Sequence, residues 1–354
     1  MKKISSILKS FMILIIAVSP IFCFNYETIY ASSYAEIVIE KTSGRILHSQ
    51  NENAKMPMAS TTKIITAITV IDHFDLNKII TIPPETTGIE GSSVYLKAGE
   101  RFTVLDLLYG LMLRSGNDCA ETLALAITND RNKFIDLMNK TAKKCGAKNT
   151  NLTNPHGLHD DLHYTTCLDL ALISAYAMKN ATFKKIVSTK KHVATELTSN
   201  EKRVWLNKNK MLTNYSGATG IKTGYTKKAG RCLVSSAEQN GMELISVVLN
   251  VPPMFERSSQ ILDEAFANFR LVKLIDSKKF NYRIPCKDRS KYVNLKIDED
   301  FYYPISKSER VSAQIYLPEF IENSVDNSKK VGEIKLFIEK QLIFCQNIYT
   351  LFID

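Results

Sequence analysis

The stretch Pro57-Met58-Ala59-Ser60-Thr61-Thr62-Lys63-Ile64-Ile65-Thr66-Ala67 places a hydroxyl and an amine three residues apart at the start of an apolar run. In a helix, this spacing puts the Ser60 and Lys63 side chains on one face. A serine hydroxyl needs a nearby base to become a nucleophile, and a lysine among apolar neighbours loses its proton more easily. Unpaired N–H groups in the first helical turn can hold an oxyanion. The stretch predicts a helix that carries a serine nucleophile and its base.

The Ser-x-x-Lys spacing alone is not specific. It also occurs at Ser6/Lys9, Ser188/Lys191 and Ser199/Lys202. The interpretation at Ser60 therefore depends on residues further along the chain.

A second feature is a break between two predicted helices. The helix predicted over Val104 to Arg114 runs into Ser115-Gly116-Asn117-Asp118, and another apolar helix is predicted over Cys119 to Ile127. A loop fixed at both ends presents its hydroxyl and carboxamide in a defined place. The same residue types are also common in an ordinary helix stop, so both readings stay open here.

A third feature is Lys222-Thr223-Gly224, on a strand predicted before a hairpin that turns at Gln239-Asn240-Gly241. A glycine in a strand allows another backbone to approach closely. A lysine and a threonine hydroxyl beside it offer a site for a carboxylate. An edge strand without any function is the alternative, although this tripeptide occurs only once.

The three features occur in the order Ser60-x-x-Lys63, Ser115-Gly-Asn117 and Lys222-Thr-Gly224, which resembles the motif set of the penicillin-binding-protein and serine β-lactamase superfamily. Longer strings are similar to the low-molecular-mass D-alanyl-D-alanine carboxypeptidases. These are Pro57-x-Ala-Ser-x-Thr-Lys63, Leu113-Arg-Ser-Gly-Asn-Asp118, Asn154-Pro-His-Gly-Leu158, Gly217-Ala-Thr-Gly-Ile-Lys-Thr-Gly-Tyr-Thr226 and Ala229-Gly-Arg-Cys-Leu233.

The resemblance covers residues 34 to about 275 and implies an α+β fold. A β-lactamase/transpeptidase-like domain, an antiparallel sheet flanked by helices, is expected over residues 34–277. Short alternating segments after Lys278-Lys279 match the small all-β second domain of that family, expected over residues 281–354. An amphipathic helix over Ser259 to Leu274 is predicted to close the first domain.

The resemblance implies an enzyme that removes the terminal D-alanine from peptidoglycan pentapeptide stems and is acylated by β-lactam antibiotics. It implies that Ser60 is the nucleophile, Lys63 its general base, and Ser115 a proton relay. No metal and no organic cofactor are implied.

Substrate-binding roles are also implied by the resemblance. Asn117 orients the peptide amide, and Lys222 with Thr223 holds the terminal carboxylate beside Gly224. The N–H groups of the nucleophile and of Tyr225 form the oxyanion hole.

Two other functions compete with this interpretation. A β-lactamase shares the three motifs, but no Glu-x-x-Leu-Asn segment lies at the usual place between Asn117 and Lys222. A wall-binding protein on a retained fold would use the β-rich tail as its contact surface and would not need Ser60.

Residues 1–33 have the features of a secretory signal peptide. Three lysines precede an apolar run from Phe11 to Val18, and cleavage is expected near Ala31 to Ser33. An uncleaved anchor is the alternative, although the run is short for a membrane span of about 20 residues. The sequence predicts an exported protein at the cell wall or the outer face of the cell membrane.

The overall composition is that of an ordinary globular protein, with 45% hydrophobic and 23% charged residues. The formal net charge is +10. In an exported protein this charge favours anionic wall polymers or membrane surfaces, or serves only solubility. Nothing in the sequence resembles a nucleic-acid-binding module.

Cysteine and histidine spacing gives weaker signals. Six cysteines remain after residue 33 without a Cys-x-x-Cys pair, which indicates mostly buried thiols and at most one or two disulfides. His156, His159 and His163 have spacing that invites a metal hypothesis, but Pro155 and Gly157 break any helical face that would gather the rings. We expect a structural loop there.

The C-terminal end departs from the family pattern. Family members often end in a long amphipathic helix that lies on the membrane. Thr350 to Asp354 directly follow an apolar segment, and no such helix fits. Membrane attachment is therefore left open.

Overall fold

The computed structural model of the chain describes residues 34–323 and 326–352. The predicted signal peptide lies outside these residues. The first nine strands of the described residues are β1 Ala35–Glu40, β2 Ile46–Gln50, β3 Ile79–Thr81, β4 Arg101–Thr103, β5 Lys191–Thr195, β6 Lys202–Leu206, β7 Ala218–Thr226, β8 Gly230–Gln239 and β9 Met242–Leu249.

The α-helices in the described part are α1 Lys63–His73, α2 Val104–Tyr109, α3 Asn117–Thr128, α4 Arg131–Lys144, α5 Cys167–Lys179, α6 Ala181–Ser188, α7 Met211–Asn214 and α8 Met254–Asn268. A 3₁₀ turn, Ala59–Thr62, precedes α1, and a π-helical turn, Gly110–Arg114, continues α2.

The central sheet is antiparallel, with strand order β2-β1-β9-β8-β7. The predicted hairpin of β8 and β9 forms, and both Asn240 and Gly241 of its turn have positive φ values, 50° and 78°. Such values suit the two-residue turns that match strand twist. The hairpin prediction is confirmed, and the α+β expectation with it.

Helices cover both faces of this sheet. Strand β1 alternates, so that Ile37 and Ile39 face one apolar cluster while Val38 faces the other. The first cluster contains α1, whose residues Lys63 to Val70 are all buried. The second cluster lies under α8, which contributes Ile261 and Leu262. A helix that is buried all round lies in the interior of a large core, and this burial fixes where the residues at its start point.

The C-terminal part is β-rich. Its strands are β10 Phe269–Ile275, β11 Tyr282–Pro285, β12 Tyr292–Lys296, β13 Phe301–Ser306, β14 Val311–Tyr316, β15 Lys330–Ile338 and β16 Gln341–Leu351. Five of them form a sheet of order β11-β12-β16-β15-β14, and β10 pairs with β13. The apolar cluster of this part includes Val293, Leu336 and Ile348. The domain boundary near residues 277–281 stays a prediction.

The helix predicted over Ser259 to Leu274 is wrong in its second half. Helix α8 begins earlier, at Met254, and ends at Asn268, and residues 269–275 form β10 instead. The reason is tertiary pairing, because Phe269 to Ile275 align with Phe301 to Ser306 across some thirty residues of sequence. Such a partner overrides local helical periodicity.

All six described cysteines are free thiols. Four of them are buried, namely Cys119, Cys167, Cys232 and Cys286, and burial raises the pKa of Cys232 to about 12. The prediction of mostly buried thiols is confirmed.

Candidate active site

The hydroxyl of Ser60 lies in the 3₁₀ turn just before α1 rather than within the helix. Ala59, which precedes Ser60, has a φ value of 48°, unusual for a residue with a Cβ. Two glycines allow close packing against this turn. A Cβ on Gly157 would lie 1.9 Å from the Ala59 carbonyl oxygen, and one on Gly224 would lie 3.1 Å from the Ser60 nitrogen. The turn is held by backbone from two distant parts of the chain.

The amine of Lys63 contacts three oxygen atoms. Its Nζ lies 2.7 Å from Asn117 Oδ1, 2.6 Å from the His156 carbonyl oxygen and 3.1 Å from Ser60 Oγ. Because the Asn117 and His156 carbonyl oxygens can only accept hydrogen bonds, the Lys63 amine donates one N–H to each of them. The longest contact is the one to the Ser60 hydroxyl, which can donate a proton as well as accept one.

Lys63 is fully buried. Burial, and then the positive charge of Lys222, lower the pKa of Lys63 well below its usual range. Burial therefore favours the neutral amine, and a neutral amine 3.1 Å from Ser60 Oγ can accept the proton of that hydroxyl. This arrangement is that of a base beside a nucleophile.

The break between α2 and α3 holds Ser115 and Asn117. The π-helical turn ends at Ser115, whose φ is 65°, and Asn117 begins α3. Asn117 accepts from Lys63 through Oδ1 and donates through Nδ2 to the Glu90 carbonyl oxygen at 2.5 Å. These two contacts fix which way the carboxamide faces. The corner is therefore more than a helix stop, because its side chain contacts Lys63.

Strand β7 forms the edge of the central sheet nearest Ser60. Within the described residues it pairs only with β8, so its other edge faces the Ser60 turn. Lys222 is 2% exposed, and its Nζ donates to the Thr223 carbonyl oxygen at 3.0 Å. Burial, and then the charge of Lys208, lower the pKa of Lys222 to about 7. This lysine lies behind the strand edge.

A cleft of about 290 Å³ lies over the Ser60 turn. Five residues predicted from the sequence line it, namely Ser60, Ser115, Thr223, Gly224 and Tyr225. Lys63 and Asn117 lie beneath Ser60 and reach it through the Lys63 amine. The structure thus gathers predicted residues from three distant parts of the chain around one cavity.

Four further residues that line the cleft were not predicted: Ser92, Lys208, Met254 and Phe255. Lys208 Nζ lies 3.4 Å from Ser92 Oγ. Met254 and Phe255 begin α8 and add an apolar wall. No sequence motif marks any of these residues.

Asp118 is a further residue of the site that the sequence analysis did not predict. It is completely buried and accepts hydrogen bonds from the Ser93 hydroxyl at 2.5 Å and from the Leu96 N–H at 3.0 Å, as well as from the Val94 N–H. The neighbouring Asn117 N–H donates to the Ser92 carbonyl oxygen at 2.7 Å. The 90–96 loop is therefore attached to the Ser115–Asp118 corner. The only feature of the sequence that could have indicated this attachment is the Asn-Asp pair directly after the break between the two helices.

Two of the histidines considered for a metal site have structural roles. His163 accepts from the Thr153 N–H and lies 2.8 Å from Thr62 Oγ1, and burial lowers the pKa of His163 to about 4. His156 accepts from the Leu158 N–H and contacts Glu121 at 3.0 Å. Both nitrogens of each ring are engaged. Among the described residues, no group of three or more His, Cys, Asp or Glu side chains is placed to hold a metal ion.

The cleft has the parts that acyl transfer to a serine requires. A hydroxyl lies beside a buried amine, a second hydroxyl lines the same cavity, and an open strand edge is available to align a peptide backbone. The fold and the site together define a serine hydrolase of the active-site-lysine type.

Comparison with known proteins narrows this class to one family. Residues 24–253 match the peptidase S11 family, D-alanyl-D-alanine carboxypeptidase. The D-alanyl-D-alanine carboxypeptidase DacF of Bacillus subtilis is 30% identical over 313 residues, covering 85% of this chain and 80% of the relative. DacC of Escherichia coli is 34% identical over 278 residues, covering 74% and 68%.

A solved structure of penicillin binding protein 5 from Haemophilus influenzae superposes with a TM-score of 0.76 at 28% identity, covering 90% of this chain and 96% of that one. The chain therefore belongs to the D-alanyl-D-alanine carboxypeptidase family, peptidase S11, a family of serine hydrolases with penicillin-binding members. The expected penicillin-binding-protein fold, with its β-rich C-terminal part, is confirmed.

Proposed function

We propose that this chain removes the terminal D-alanine from pentapeptide stems of peptidoglycan through an acyl-enzyme on Ser60. The observation that carries the proposal is the contact between the buried Lys63 amine, whose pKa burial lowers, and the Ser60 hydroxyl at the base of the cleft. The family relatives, named as D-alanyl-D-alanine carboxypeptidases, support the substrate class.

In the acylation step, Ser60 Oγ attacks the carbonyl carbon of the penultimate D-alanine, and its proton passes to Lys63 Nζ. The negative charge on the carbonyl oxygen is held by the N–H groups of Ser60 and Tyr225. The C–N bond then breaks, and the proton reaches the leaving D-alanine nitrogen through the Ser115 hydroxyl. Water hydrolyses the ester by the same route in reverse, which returns the proton to Ser60.

Residues in the wall of the cleft and directly behind it position the substrate. The Thr223 hydroxyl and the charge of Lys222 attract the terminal carboxylate, and Gly224 lets the peptide approach the strand edge. The Asn117 carboxamide, fixed by Lys63 and Glu90, orients the peptide amide. β-Lactam antibiotics present a strained amide to the same serine and act as covalent inhibitors.

The test is the release of D-alanine from diacetyl-Lys-D-Ala-D-Ala, followed by mass spectrometry. Wild-type protein is expected to release D-alanine, and Ser60→Ala to release none above background. Ser188→Ala is the matched control, because Ser188 begins another Ser-x-x-Lys sequence and is expected to leave release unchanged. A wild-type protein without activity, or an active Ser60→Ala variant, would overturn the proposal.

A fluorescent penicillin separates this function from that of a β-lactamase. A carboxypeptidase is expected to keep the label on the protein for many minutes, since it has no dedicated water for deacylation. Rapid release of the hydrolysed drug would instead assign the protein to the β-lactamases.

We propose further that the protein is exported and acts at the cell wall or on the outer face of the cell membrane. The support is the signal-like character of residues 1–33 and the extracytoplasmic position of peptidoglycan. Among the described residues, no helix combines the length and apolar character needed to cross a membrane. N-terminal sequencing of the protein recovered from cell walls is expected to give a terminus near Ala31 to Ser33, whereas an intact Met1 would contradict cleavage.

A further inference from the structure

His156 contacts the active-site lysine through its backbone and helix α3 through its ring. Its carbonyl oxygen accepts from Lys63 Nζ at 2.6 Å, the shortest of the three contacts of that amine. The ring of the same residue lies with Nε2 3.0 Å from Glu121 Oε1. His156 belongs to the Asn154-Pro-His-Gly-Leu158 string, whose side chains have no part in the proposed mechanism. The contact between the ring and Glu121 therefore needs an explanation of its own.

The neighbouring backbone decides where the proton of the His156 ring lies. The Leu158 N–H donates to His156 Nδ1 at 3.1 Å, so Nδ1 is an acceptor and the ring proton is on Nε2. Nε2–H therefore donates to the Glu121 carboxylate. The residue is 6% exposed, and burial is the main reason why the pKa of His156 is lowered. A ring held at both nitrogens fixes the residue, and with it the direction of its carbonyl group.

Glu121 lies one turn after Asn117 on helix α3. Residues four apart share one face of a helix. Asn117 Oδ1 accepts from Lys63 Nζ at 2.7 Å, and Glu121 accepts from the His156 ring. Helix α3 therefore supports both carbonyl oxygens that contact the amine, one directly and one through His156. With two N–H groups donated to fixed oxygens, the remaining direction of the amine is toward Ser60 Oγ, at 3.1 Å.

Arg131, at the start of α4, contacts Glu121 from the solvent side. Its Nε lies 3.1 Å from both carboxylate oxygens, and its side chain is 47% exposed. Burial raises the pKa of Glu121, but the hydrogen bond with His156 and the charge of Arg131 outweigh burial and lower this pKa. The carboxylate therefore stays charged and accepts from the ring. Because an exposed ion pair contributes little to stability, the contact that matters here is the buried one with His156.

We propose that Glu121 and His156 are positioning residues for the general base. Together they hold the His156 carbonyl oxygen against the Lys63 amine and so keep the amine directed at Ser60 Oγ. This inference rests on the proposed function. Neither side chain lines the cleft, so the loss of either one is expected to slow proton transfer and to leave substrate binding unchanged.

The experiment measures D-alanine release from diacetyl-Lys-D-Ala-D-Ala per active site, with the sites counted by exhaustive labelling with a fluorescent penicillin. Glu121→Leu keeps the size of the side chain but cannot accept from the ring. We expect kcat per labelled site to fall by about 10- to 100-fold, because a misplacement of a reacting group by about 1 Å is enough for such a loss. KM and the number of labelled sites are expected to stay within about twofold of wild type. Glu121→Gln, which keeps an accepting oxygen, is expected to restore most of the rate.

Arg131→Met is the matched control, because it removes the ion pair of Glu121 and leaves the contact with His156 in place. It is expected to release D-alanine within about twofold of the wild-type rate. His156→Asn is a second, independent variant. Its side-chain oxygen can still accept from the Leu158 N–H, as in an Asx turn, but the side chain is too short to reach Glu121. It is expected to show the same loss as Glu121→Leu, and the double variant no further loss, because both changes break one contact.

Three results overturn the positioning role and leave the proposed function intact. These are an unchanged kcat per labelled site in Glu121→Leu and His156→Asn, an equal loss in Arg131→Met, and losses that multiply in the double variant. Fewer labelled sites at a normal rate per site also overturn it, because the pair would then support only the fold. If Glu121→Leu yields no folded protein, His156→Asn alone decides. A wild-type protein that releases no D-alanine overturns both proposals.

Discussion

The amine of Lys63 lies 3.1 Å from the hydroxyl oxygen of Ser60, with carbonyl oxygens at 2.6 and 2.7 Å on its other sides. Burial would be costly for an ammonium group at this place, because no carboxylate of the described residues hydrogen-bonds to it and Lys222 adds repulsion. The same burial favours the neutral amine that a general base must be. In the proposed mechanism, the interior position of α1 is therefore what favours Lys63 as the base.

The first prediction concerns Lys63 as the base. Lys63→Met keeps the length and apolar stem of the side chain but has no amine. We expect D-alanine release to fall by about 10²- to 10⁴-fold, the usual contribution of general base catalysis. Steady-state kinetics measure the loss, and a thermal unfolding curve close to that of the wild type shows that the fold is kept. Activity within threefold of wild type would exclude Lys63 as the base.

The second prediction concerns pH. Because burial and Lys208 lower the pKa of Lys222 to about 7, Lys222 is charged below this pH and neutral above it. Its attraction for a carboxylate is therefore lost as pH rises, so kcat/KM is expected to decline above about pH 7. Arginine stays charged at any accessible pH, so Lys222→Arg is expected to move the decline to higher pH. An unchanged pH profile in that variant would show that another group causes the decline.

The motifs single out residues that meet around the cleft, but they do not predict every element that surrounds it. Ser60, Ser115 and Thr223 line one cleft although they are distant in the sequence. They could be singled out because a serine with a lysine three residues later, a break between helices and a glycine in a strand each leave a local pattern. Lys208 and Asp118 were not predicted from the sequence. The contact of Lys208 with Ser92, and those of Asp118 with Ser93 and Leu96, form only in the folded chain.

The elements of the fold likewise divide into those that local sequence predicts and those that depend on distant contacts. The β8–β9 hairpin was predictable, since the turn and both strands are adjacent in sequence. Strand β10 was not, because its partner β13 begins about thirty residues later, and the β5–β6 hairpin that leads to Lys208 was also missed. Local pattern predicts an element, whereas a distant partner decides between helix and strand.

The third prediction concerns Gly157. A Cβ there would lie 1.9 Å from the Ala59 carbonyl oxygen, so Gly157→Ala must displace the turn that carries Ser60. Gly99→Ala is the matched control, because the φ values are 86° and 84° but nothing lies within 4 Å of a Cβ on Gly99. We expect the control to lose about 1–2 kcal/mol of unfolding free energy and to keep its activity.

Gly157→Ala is expected to lose about 1–3 kcal/mol more than the control, from overpacking, and most of its D-alanine release. Urea denaturation and the release assay measure the two effects. Equal losses in the two variants would show that the contact between Gly157 and Ala59 does not matter to the site.

The fourth prediction concerns Asp118. Asp118→Asn replaces one accepting oxygen by an NH₂ group that faces buried N–H donors of the 90–96 loop. We expect a loss of about 2–3 kcal/mol in unfolding free energy, and slower D-alanine release because Asn117 loses its support. Ser93→Ala removes only one donor to this carboxylate and is expected to cost about 1 kcal/mol. A stability of Asp118→Asn equal to that of Ser93→Ala would contradict this role.

Identification of the acylated residue tests the central claim most directly. Wild-type protein is incubated with penicillin, digested, and analysed by tandem mass spectrometry. The account predicts one penicilloyl adduct, on Ser60, which Ser60→Ala abolishes and Lys63→Met forms far more slowly. An adduct on any other residue, or one that survives in Ser60→Ala, would contradict it.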